Sequence, residues 1–329
     1  MNIAILGGGA WGTAFAIALA GNHKVTLWAR DARHAAEMAS LRFNRRYLPQ
    51  AAIPDSVRVE HRFSPALAQA ELIVVATPTA ALRETVMRIG RKTSARGLIW
   101  LCKGFEADSA KLPHQVVAEA LEVTIPVGAL SGPSFAVEVA RGQPTALTLA
   151  SSDRFFSQSA ARQLHAPRLR VYSSADVTGV EVGGAVKNVL AIAAGICDGL
   201  QFGNNARAAL ITRGLAEMTR LGRKLGGRTE TFMGLTGVGD LMLTATSDLS
   251  RNRRVGLMLA EGEALERILL KLGHVAEGVS TVPEVVRLGA HHVIPLPITQ
   301  AVYRVLYQGV EPRRAVEELL SREPKQEND

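Results

Sequence analysis

The chain has 329 residues, 47% of them hydrophobic and 21% charged, which is typical of a globular protein with room for two domains. Its formal net charge of +8 favours anionic ligands. Because the basic residues are scattered, only 5% of residues are aromatic and no nucleic-acid-binding motif occurs, we expect a phosphorylated small-molecule substrate and no nucleic-acid partner. The two cysteines, both in apolar segments, exclude a disulfide framework and predict a cytoplasmic location.

Signal peptides, membrane spans and metal sites are not predicted. The apolar residues 1–20 lack a basic start and contain three successive glycines, which a secretory segment avoids. No other stretch has about 18 apolar residues without a charge or a glycine. His291 and His292 are adjacent rather than four residues apart, and no carboxylate accompanies them at the spacing of metal ligands.

A short apolar strand at 2–6 leads directly into a glycine-rich turn and then into a helical run at 13–20. Gly7, Gly9 and Gly12 form a G-x-G-x-x-G motif. In this motif the first glycine permits a tight turn, the second lets a pyrophosphate approach the backbone, and the third lets helix and strand pack closely. The helix N-terminus offers unpaired N–H groups to the phosphates. The sequence therefore predicts a dinucleotide-binding site.

The second strand, at 24–29, ends where an NAD-specific site has an acid for the ribose 2′-hydroxyl. Arg30 stands at that point and Asp31 follows it. An arginine there pairs with a 2′-phosphate or stacks on adenine, so the sequence favours NADP, with NAD or dual use left open. The structural alternative is an exposed arginine in a turn.

Alternating strand and helix patterns continue after a turn-rich basic segment at 42–54. A helix is predicted at 81–89, and strands are predicted at 57–59, 72–76, 97–101, 127–130, 145–149 and 169–172. Lys103 and the small residues of 131–136 follow two of these strands. Because ligands bind at the carboxyl ends of strands in open α/β sheets, both segments are candidate ligand contacts.

Beyond residue 178 strands give way to helices, predicted at 180–197, 206–225, 253–261, 264–272, 282–288, 298–306 and 313–320. The predicted fold is therefore α/β. An N-terminal Rossmann-type domain with a mostly parallel sheet spans 1–178, and an all-α domain for substrate and catalysis spans 179–321. The polar tail 322–329 is predicted to be disordered.

The first of these helices is apolar nearly all round, as core helices are, yet it contains Lys187. A buried lysine either finds a partner or lowers its pKa, as catalytic lysines do, while a structural ion pair or a lysine reaching solvent is the alternative. The glycine-rich loop 234–241 presents Asp240. Thr244, four residues on, shares its face if a helix starts there. Whether Asp240 contacts Lys187 directly or through water is left open.

Two further groups are candidates in the helical half. Ser250, Arg251 and Asn252 combine a hydroxyl, a guanidinium and an amide, which suits a phosphate because arginine offers a bidentate fork. A basic helix start on the surface is the alternative. Glu277 is a lone acid in a turn, which is more typical of a helix cap than of a ligand contact.

The sequence resembles the family of bacterial NAD(P)-dependent glycerol-3-phosphate dehydrogenases. The similarity runs through both predicted domains in the family's order, in segments 7–14, 47–49, 103–104, 131–136, 184–188, 237–241 and 250–252. It implies interconversion of dihydroxyacetone phosphate and sn-glycerol 3-phosphate, which supplies glycerol 3-phosphate for phospholipid synthesis. The implied cofactor is NADP or NAD, with NADPH favoured.

The resemblance also implies roles for residues. Lys187 is implied as the proton acceptor in alcohol oxidation, with Asp240 and Thr244 arranging it and Asn188 nearby. Substrate contacts are implied for Lys103, Gly132, Ser134, Lys187, Asp240, Ser250, Arg251 and Asn252. Besides the motif glycines, cofactor contacts are implied for Ala10, Trp11, Arg30, Tyr47, Lys103, Ala136, Arg251, Val275 and Glu277. The family often has serine where this chain has Ala10, so only a backbone contact is expected there.

Two other interpretations stay open. The first is a different dehydrogenase with a Rossmann domain and a helical domain, such as a ketopantoate reductase or a relative of 6-phosphogluconate dehydrogenase. The second is a non-catalytic NADP-binding sensor. The joint presence of Lys187, Asp240 and Arg251 disfavours the sensor. A homodimer is expected, since it is the commonest assembly.

Overall fold

The computed structural model describes residues 1–90, 93–273 and 276–321, and its N-terminal half is an α/β sheet structure. Its strands are β1 Asn2–Leu6, β2 Lys24–Trp28, β3 Phe43–Asn44, β4 Leu48–Ala52, β5 Arg58–Glu60, β6 Leu72–Val75, β7 Leu98–Trp100, β8 Val127–Ser131, β9 Thr145–Ala150 and β10 Leu169–Ser174. The helices among them are α1 Ala10–Leu19, α2 Ala32–Leu41, α3 Phe63–Leu67, α4 Leu82–Met87, α5 Pro113–Ala120, α6 Ala136–Ala140 and α7 Arg154–Leu164.

The C-terminal half is helical throughout its described part. Its helices are α8 Val177–Gly199, α9 Gly203–Lys224, α10 Thr229–Phe232, α11 Asp240–Thr246, α12 Arg251–Ala260, α13 Leu265–Leu272, α14 Glu277–His291, α15 Pro297–Tyr307 and α16 Pro312–Leu320. The predicted fold class is confirmed: a mostly parallel Rossmann-type sheet is followed by helices. The predicted disordered tail 322–329 lies outside the described residues.

Within residues 1–90, 93–273 and 276–321, eight strands form one sheet in the order β10-β9-β8-β7-β6-β1-β2-β5. Neighbouring strands are parallel except for β8 and β9, which are antiparallel. The chain passes from β1 to β2 on one side, and β6 then pairs with β1 on the other. Because the direction of strand addition reverses at β1, a crevice opens beyond the carboxyl ends of β1 and β6.

The segment 42–54 was predicted to be rich in turns, and the structure differs from this prediction. It contains the antiparallel hairpin of β3 and β4. The sequence of β4, Leu-Pro-Gln-Ala-Ala, has a proline and no clear alternation, so the strand carries no pattern to predict it. Leu48 and Ala51 nevertheless pack in a small core with Ala14 of α1 and Val139 of α6, and this contact holds the hairpin beside the glycine-rich turn.

Helix α8 lies in the protein core, with every residue from 179 to 197 buried. By length and composition alone this helix could cross a membrane. Its apolar segment is, however, entirely buried inside the protein. Glycines let a neighbouring helix approach its backbone closely. A Cβ added at Gly195 would lie 2.0 Å from the Arg253 carbonyl oxygen, and one at Gly256 would lie 2.1 Å from the Ile192 carbonyl oxygen. The α8–α12 contact therefore depends on glycine at both positions.

The two halves of the chain share parts of their cores. Phe105 and Leu112, which follow β7, pack among the C-terminal helices. In the other direction, Val180 of α8 packs with residues of the sheet. Strand β10 ends at Ser174 and α8 begins at Val177. The division of the chain into two domains near residue 178 remains a prediction.

Candidate active site

The side chains of Lys103, Lys187 and Thr244 meet around the buried carboxylate of Asp240. Lys187 Nζ donates to Asp240 Oδ1 at 2.5 Å and to Thr244 Oγ1 at 2.8 Å. Lys103 Nζ donates to the other carboxylate oxygen, Asp240 Oδ2, at 2.6 Å, and to the Gly132 carbonyl oxygen at 3.2 Å. The Lys187–Asp240 contact is therefore direct. The carboxylate has an ammonium group at each of its oxygens.

The backbone around Gly183 brings Lys187 and Asp240 together. The segment 234–241 is not a loop, as its glycines predicted, but a π-helical turn at Leu235–Gly239 that continues into α11. A Cβ on Gly183 would lie 2.5 Å from the Thr236 carbonyl oxygen. Lys187 and Asp240 lie four residues after Gly183 and Thr236, so each is one helical turn beyond this close contact. Thr244 shares the face of Asp240, as predicted.

Burial dominates the electrostatics of this cluster. Lys187 is 7% exposed, and this burial lowers its pKa to about 8. The Asp240 carboxylate works in the opposite direction and the nearby Lys103 ammonium adds to the lowering. Burial also opposes ionisation of Asp240, but the Lys103 and Lys187 ammonium groups hold the pKa of that carboxyl below its ordinary value. Lys187 is thus able to hold or release a proton near neutral pH.

Three backbone segments are locked together beside this cluster by amide side chains. Asn252 Nδ2 of α12 donates to Asn188 Oδ1 of α8 at 2.9 Å, and the Gly278 N–H of α14 donates to Asn252 Oδ1 at 3.0 Å. A Cβ on Gly278 would lie 2.7 Å from both the Asn188 carbonyl oxygen and Asn252 Oδ1. Sequence reasoning did not single out Gly278, because its role depends on a contact between three helices.

The predicted phosphate cluster is the N-terminus of α12. Ser250 is the N-cap, and its Oγ accepts from the Arg253 N–H at 3.2 Å. Arg253 pairs with Asp198 and Asp248, whereas Arg251 is exposed. The first N–H groups of a helix have no partner inside the helix, and the helix dipole is positive there. This end of α12 therefore combines helix N–H groups with the positive charge of an exposed arginine.

The glycine-rich turn lies at the carboxyl end of β1, at the sheet crevice. Gly7 has φ +136°, and a Cβ on it would lie 2.6 Å from the Ala76 carbonyl oxygen. A Cβ on Gly12 would lie 2.0 Å from the Gly7 carbonyl oxygen. By contrast, a Cβ on Gly9, the N-cap of α1, would meet no described atom within 4 Å. Gly9 is therefore not needed for packing, which fits a site where a pyrophosphate approaches the backbone.

The predicted adenosine contacts lie at the end of β2 and in the β3–β4 turn. Arg30 is exposed. Asp31 Oδ1 accepts from the N–H groups of Arg33 and His34, so its carboxylate caps α2. Tyr47 is half-buried, with its ring edge-on to His34 at 5.4 Å and the Arg46 guanidinium 5.0 Å from its centre.

The remaining predicted residues are placed as follows. Ala10 and Trp11 begin α1 and Ala136 begins α6, while Ser134 Oγ donates to the Gly132 carbonyl oxygen at 3.0 Å. Glu277 begins α14 rather than lying in a turn. Burial raises its pKa, and the positive charges of Arg251, Lys103 and Lys187 oppose the rise. Val275 lies outside the described residues, and among those described no cluster of histidine, cysteine and acidic residues suits a metal ion.

A glycine-rich turn at a sheet crevice, together with a buried lysine of lowered pKa, is typical of a dinucleotide-dependent oxidoreductase. Comparison with known families gives the particular one. The profile of the NAD-dependent glycerol-3-phosphate dehydrogenase N-terminus matches residues 2–157, and that of the C-terminus matches residues 176–317. The chain belongs to this family.

Individual relatives agree. The chain is 58% identical over 331 residues to glycerol-3-phosphate dehydrogenase [NAD(P)+] of Nitrosospira multiformis, covering 99% of each chain. The crystal structure of glycerol-3-phosphate dehydrogenase from Coxiella burnetii superposes with a TM-score of 0.92 at 43% identity, covering 98% of this chain and 99% of that one. A ketopantoate reductase from Ralstonia eutropha, at 16% identity and a TM-score of 0.59, shares the fold alone.

Proposed function

We propose that this NAD(P)-dependent dehydrogenase interconverts dihydroxyacetone phosphate and sn-glycerol 3-phosphate, and that Lys187 transfers the proton. The observation that carries the assignment of Lys187 is its direct bonding to Asp240 and Thr244 at a buried position where its pKa is about 8. Proton-transfer groups work best when their pKa lies near the working pH.

A bound dinucleotide would supply the hydride for the ketone carbon. As the alkoxide forms, protonated Lys187 gives its proton to that oxygen, and in the reverse reaction neutral Lys187 takes the proton of the alcohol. Asp240 and Thr244 fix the direction of the amine through their bonds to Nζ. Lys103 keeps Asp240 ionised and offers a second positive charge beside the developing alkoxide.

We assign the substrate phosphate to the N-terminus of α12. Ser250 accepts hydrogen bonds from two N–H groups, that of Arg253 at its Oγ and that of Arg254 at its carbonyl oxygen. The N–H groups of Arg251 and Asn252 are among those that a helix leaves without an internal partner. Arg251 adds a bidentate donor. Binding the phosphate here, away from the reacting carbon, holds that carbon in position for hydride transfer. Gly132 and Ser134 border the carbon chain.

Residues 1–178 hold the dinucleotide and residues 179–321 supply the catalytic helices in this proposal. Gly7, Gly9 and Gly12 and the N–H groups of Ala10 and Trp11 would hold the pyrophosphate. Further cofactor contacts would come from Tyr47, Lys103, Ala136, Arg251 and Glu277, and the resemblance to the family adds Val275, which lies outside the described residues. We propose a preference for NADPH, because Arg30 is exposed where β2 ends and Asp31 is engaged as a helix cap.

Lys187→Ala tests the catalytic assignment. We expect kcat for dihydroxyacetone phosphate reduction to fall by about 10² to 10⁴, the usual contribution of a positioned proton-transfer group, while NADPH binding is retained. Lys271→Ala is the matched control, since Lys271 is an exposed helix residue that pairs with Glu263. Near-normal turnover of Lys187→Ala would refute the role of Lys187.

The reaction itself is tested by following NADPH and NADH oxidation with dihydroxyacetone phosphate and, separately, ketopantoate. Turnover with ketopantoate alone would favour the rival dehydrogenase. Binding of NADPH without turnover of either substrate would favour the sensor.

The product, assembly and location are further proposals. A preference for NADPH suits the reductive direction, so we propose that the enzyme supplies glycerol 3-phosphate for phospholipid synthesis. A strain lacking the enzyme should then need glycerol 3-phosphate for growth. We propose a homodimer, the commonest assembly, which light scattering on the purified protein tests. We place the enzyme in the cytoplasm, since Cys102 and Cys197 are unpaired in the described chain.

A further inference from the structure

His114 of α5 and Glu181 of α8 form a second ionisable pair, and Glu181 lies six residues before Lys187 in the same helix. Glu181 is 6% exposed, and its Oε1 accepts from Trp100 Nε1 at 2.9 Å and from the His114 N–H at 2.8 Å. His114 Nδ1 contacts Glu181 Oε2 at 2.5 Å. The His114 side chain is 32% exposed, so one end of the pair meets solvent while the other is buried.

Glu181 of this pair also lines a small cavity. Its volume is about 10 Å³, the room that one water molecule needs, and its lining includes Lys103, Ser131, Glu181 and Gly184. Ser131 Oγ is buried and has no hydrogen-bond partner within residues 1–90, 93–273 and 276–321. Buried hydroxyls are rarely left unbonded. A water in this cavity would have Ser131, Glu181 and Lys103 as polar neighbours, which is the usual number for a buried water.

Gly184 brings the two sides of the cavity together. A Cβ on Gly184 would lie 3.0 Å from Ser131 Oγ and 3.5 Å from Lys103 Cδ, so the hydroxyl and the lysine stem meet above this glycine. Gly184 is one helical turn after Glu181. From the cavity the bonded series continues through Lys103 Nζ and Asp240 Oδ2, 2.6 Å apart, to Lys187.

We propose that His114, Glu181, one cavity water and Lys103 conduct protons between solvent and Lys187 during turnover. This inference rests on the proposed role of Lys187. Both members of the pair hold a proton to a higher pH than they ordinarily do. Burial raises the pKa of Glu181, and although burial opposes it, the Glu181 carboxylate raises the pKa of His114.

The relay returns every group to its starting state. During ketone reduction an N–H bond of Lys187 breaks and an O–H bond forms on the substrate. A proton of the Lys103 ammonium then passes through the Asp240 carboxylate to the Lys187 amine. The cavity water gives a proton to Lys103 and takes, through the Glu181 carboxyl, the one proton that Glu181 and His114 share. His114 then takes a proton from solvent, which restores the pair. The net change is one proton from solvent to the substrate oxygen, and alcohol oxidation runs the series backwards.

Glu181→Gln in the full-length enzyme is the first test. Glutamine keeps the size of the side chain and an oxygen for the Trp100 and His114 N–H groups, but it does not exchange protons. We expect kcat for reduction to fall by about tenfold or more, with a larger solvent deuterium isotope effect on kcat and KM values within about twofold of those of the wild type. An unchanged kcat would overturn the relay.

His114→Ala separates proton transfer from packing. Because His114 is partly exposed, added imidazole should restore kcat in this variant with a saturable dependence, and it should not restore Glu181→Gln. Pyrazole is a ring of the same size that does not take up protons near neutral pH, and it should not restore kcat. Equal restoration by pyrazole, or none by imidazole, would overturn the relay.

Trp100→Phe is the matched control, because it removes a hydrogen bond to Glu181 while keeping both proton carriers. We expect its kcat to stay within about twofold of the wild type, even where thermal unfolding shows lower stability. A loss of kcat equal to that of Glu181→Gln would assign Glu181 a structural role instead. Normal turnover of Lys187→Ala would refute the role of Lys187, whereas normal turnover of Glu181→Gln beside an impaired Lys187→Ala would refute the relay alone.

Discussion

Asp240→Asn is the substitution that most directly tests how the buried charges set the chemistry. The Asp240 carboxylate lies between the Lys103 and Lys187 ammonium groups, at 2.6 Å and 2.5 Å, so the three charges together leave one net positive charge. Asparagine has nearly the same shape and no charge. The variant would hold two ammonium groups face to face, and one of them is expected to lose its proton at a lower pH than in the wild type.

The size of this effect follows from the contact distances. Two unit charges 4 Å apart interact by about 4 kcal/mol at an effective dielectric constant near 20. Because 1.36 kcal/mol corresponds to one pKa unit, removing the Asp240 charge should lower the pKa of Lys187 by at least roughly 2 units. The pKa of Lys187, about 8 in the wild type, is then expected near 6. At pH 7 the protonated fraction of Lys187 would fall from about nine-tenths to about one-tenth.

The sign of the pH dependence differs between the two reaction directions. Reduction needs the Lys187 ammonium, so wild-type kcat/KM for dihydroxyacetone phosphate should be constant below pH 8 and fall above it. Oxidation of glycerol 3-phosphate needs the neutral amine and should rise through the same pH. In Asp240→Asn the reductive rate should fall already above about pH 6, so that it increases roughly tenfold between pH 7 and pH 5. The inflection belongs to the coupled set of Lys103, Asp240 and Lys187.

Initial rates of NADPH oxidation across this pH range measure the effect. Thr244→Val is the matched control, because it removes the hydroxyl that accepts from Lys187 at 2.8 Å without changing any charge. Its rates should be lower at every pH, with the inflection still near 8. If Asp240→Asn kept the wild-type inflection, or if its rate stayed level between pH 7 and pH 5, the electrostatic reasoning would be wrong.

Three further outcomes are expected. Arg251→Ala should raise KM for dihydroxyacetone phosphate by about tenfold or more, with kcat less affected, because a charged hydrogen bond to phosphate contributes about 1.5–3 kcal/mol; an unchanged KM in steady-state assays would contradict the phosphate assignment. Arg30→Ala should raise KM for NADPH by about tenfold and leave KM for NADH nearly constant, and equal changes for both cofactors would contradict the 2′-phosphate contact. Glu217→Ala should lower the free energy of unfolding, measured by urea denaturation, by about 2–4 kcal/mol, because Glu217 accepts from the Ile298 and Thr299 N–H groups. Glu217→Gln keeps an acceptor and should lower it by less than about 1 kcal/mol.

Glu217 also predicts a pH dependence of stability. Burial raises its pKa to about 7 in the folded protein, above its ordinary value of 4.5. The folded state therefore binds more protons than the unfolded state between these values, and this group's contribution to stability is lost as pH rises from about 4.5 to 7. Glu217→Gln should remove that part of the dependence, and an unchanged slope in unfolding experiments would contradict the raised pKa.

Local patterns in the sequence were sufficient for the sheet and for the glycine-rich turn. The strand before Gly7 and the helix after Gly12 are continuous in sequence, so the motif and its surroundings are visible together. Helices α2 and α7 were not among the predicted elements, although each begins after an aspartate that caps it, Asp31 and Asp153. These N-caps were the missed signal. The β3–β4 hairpin had no comparable signal, since its burial comes from packing on α1 and α6.

The contacts of the active site depend on distances that no sequence pattern contains. Lys103 and Asp240 are 137 positions apart in the chain, and their bond needs β7, α8 and α11 to be in place first. Hydrophobic periodicity treats Glu181 and Lys187 alike, as two charges in one buried helix. What separates them is their surroundings: Lys187 meets a carboxylate and a hydroxyl, while Glu181 meets an indole, a partly exposed imidazole and a cavity. A buried charge in a sequence therefore predicts that a partner exists, and only the fold decides whether that partner makes it a proton donor, a relay or an ion pair.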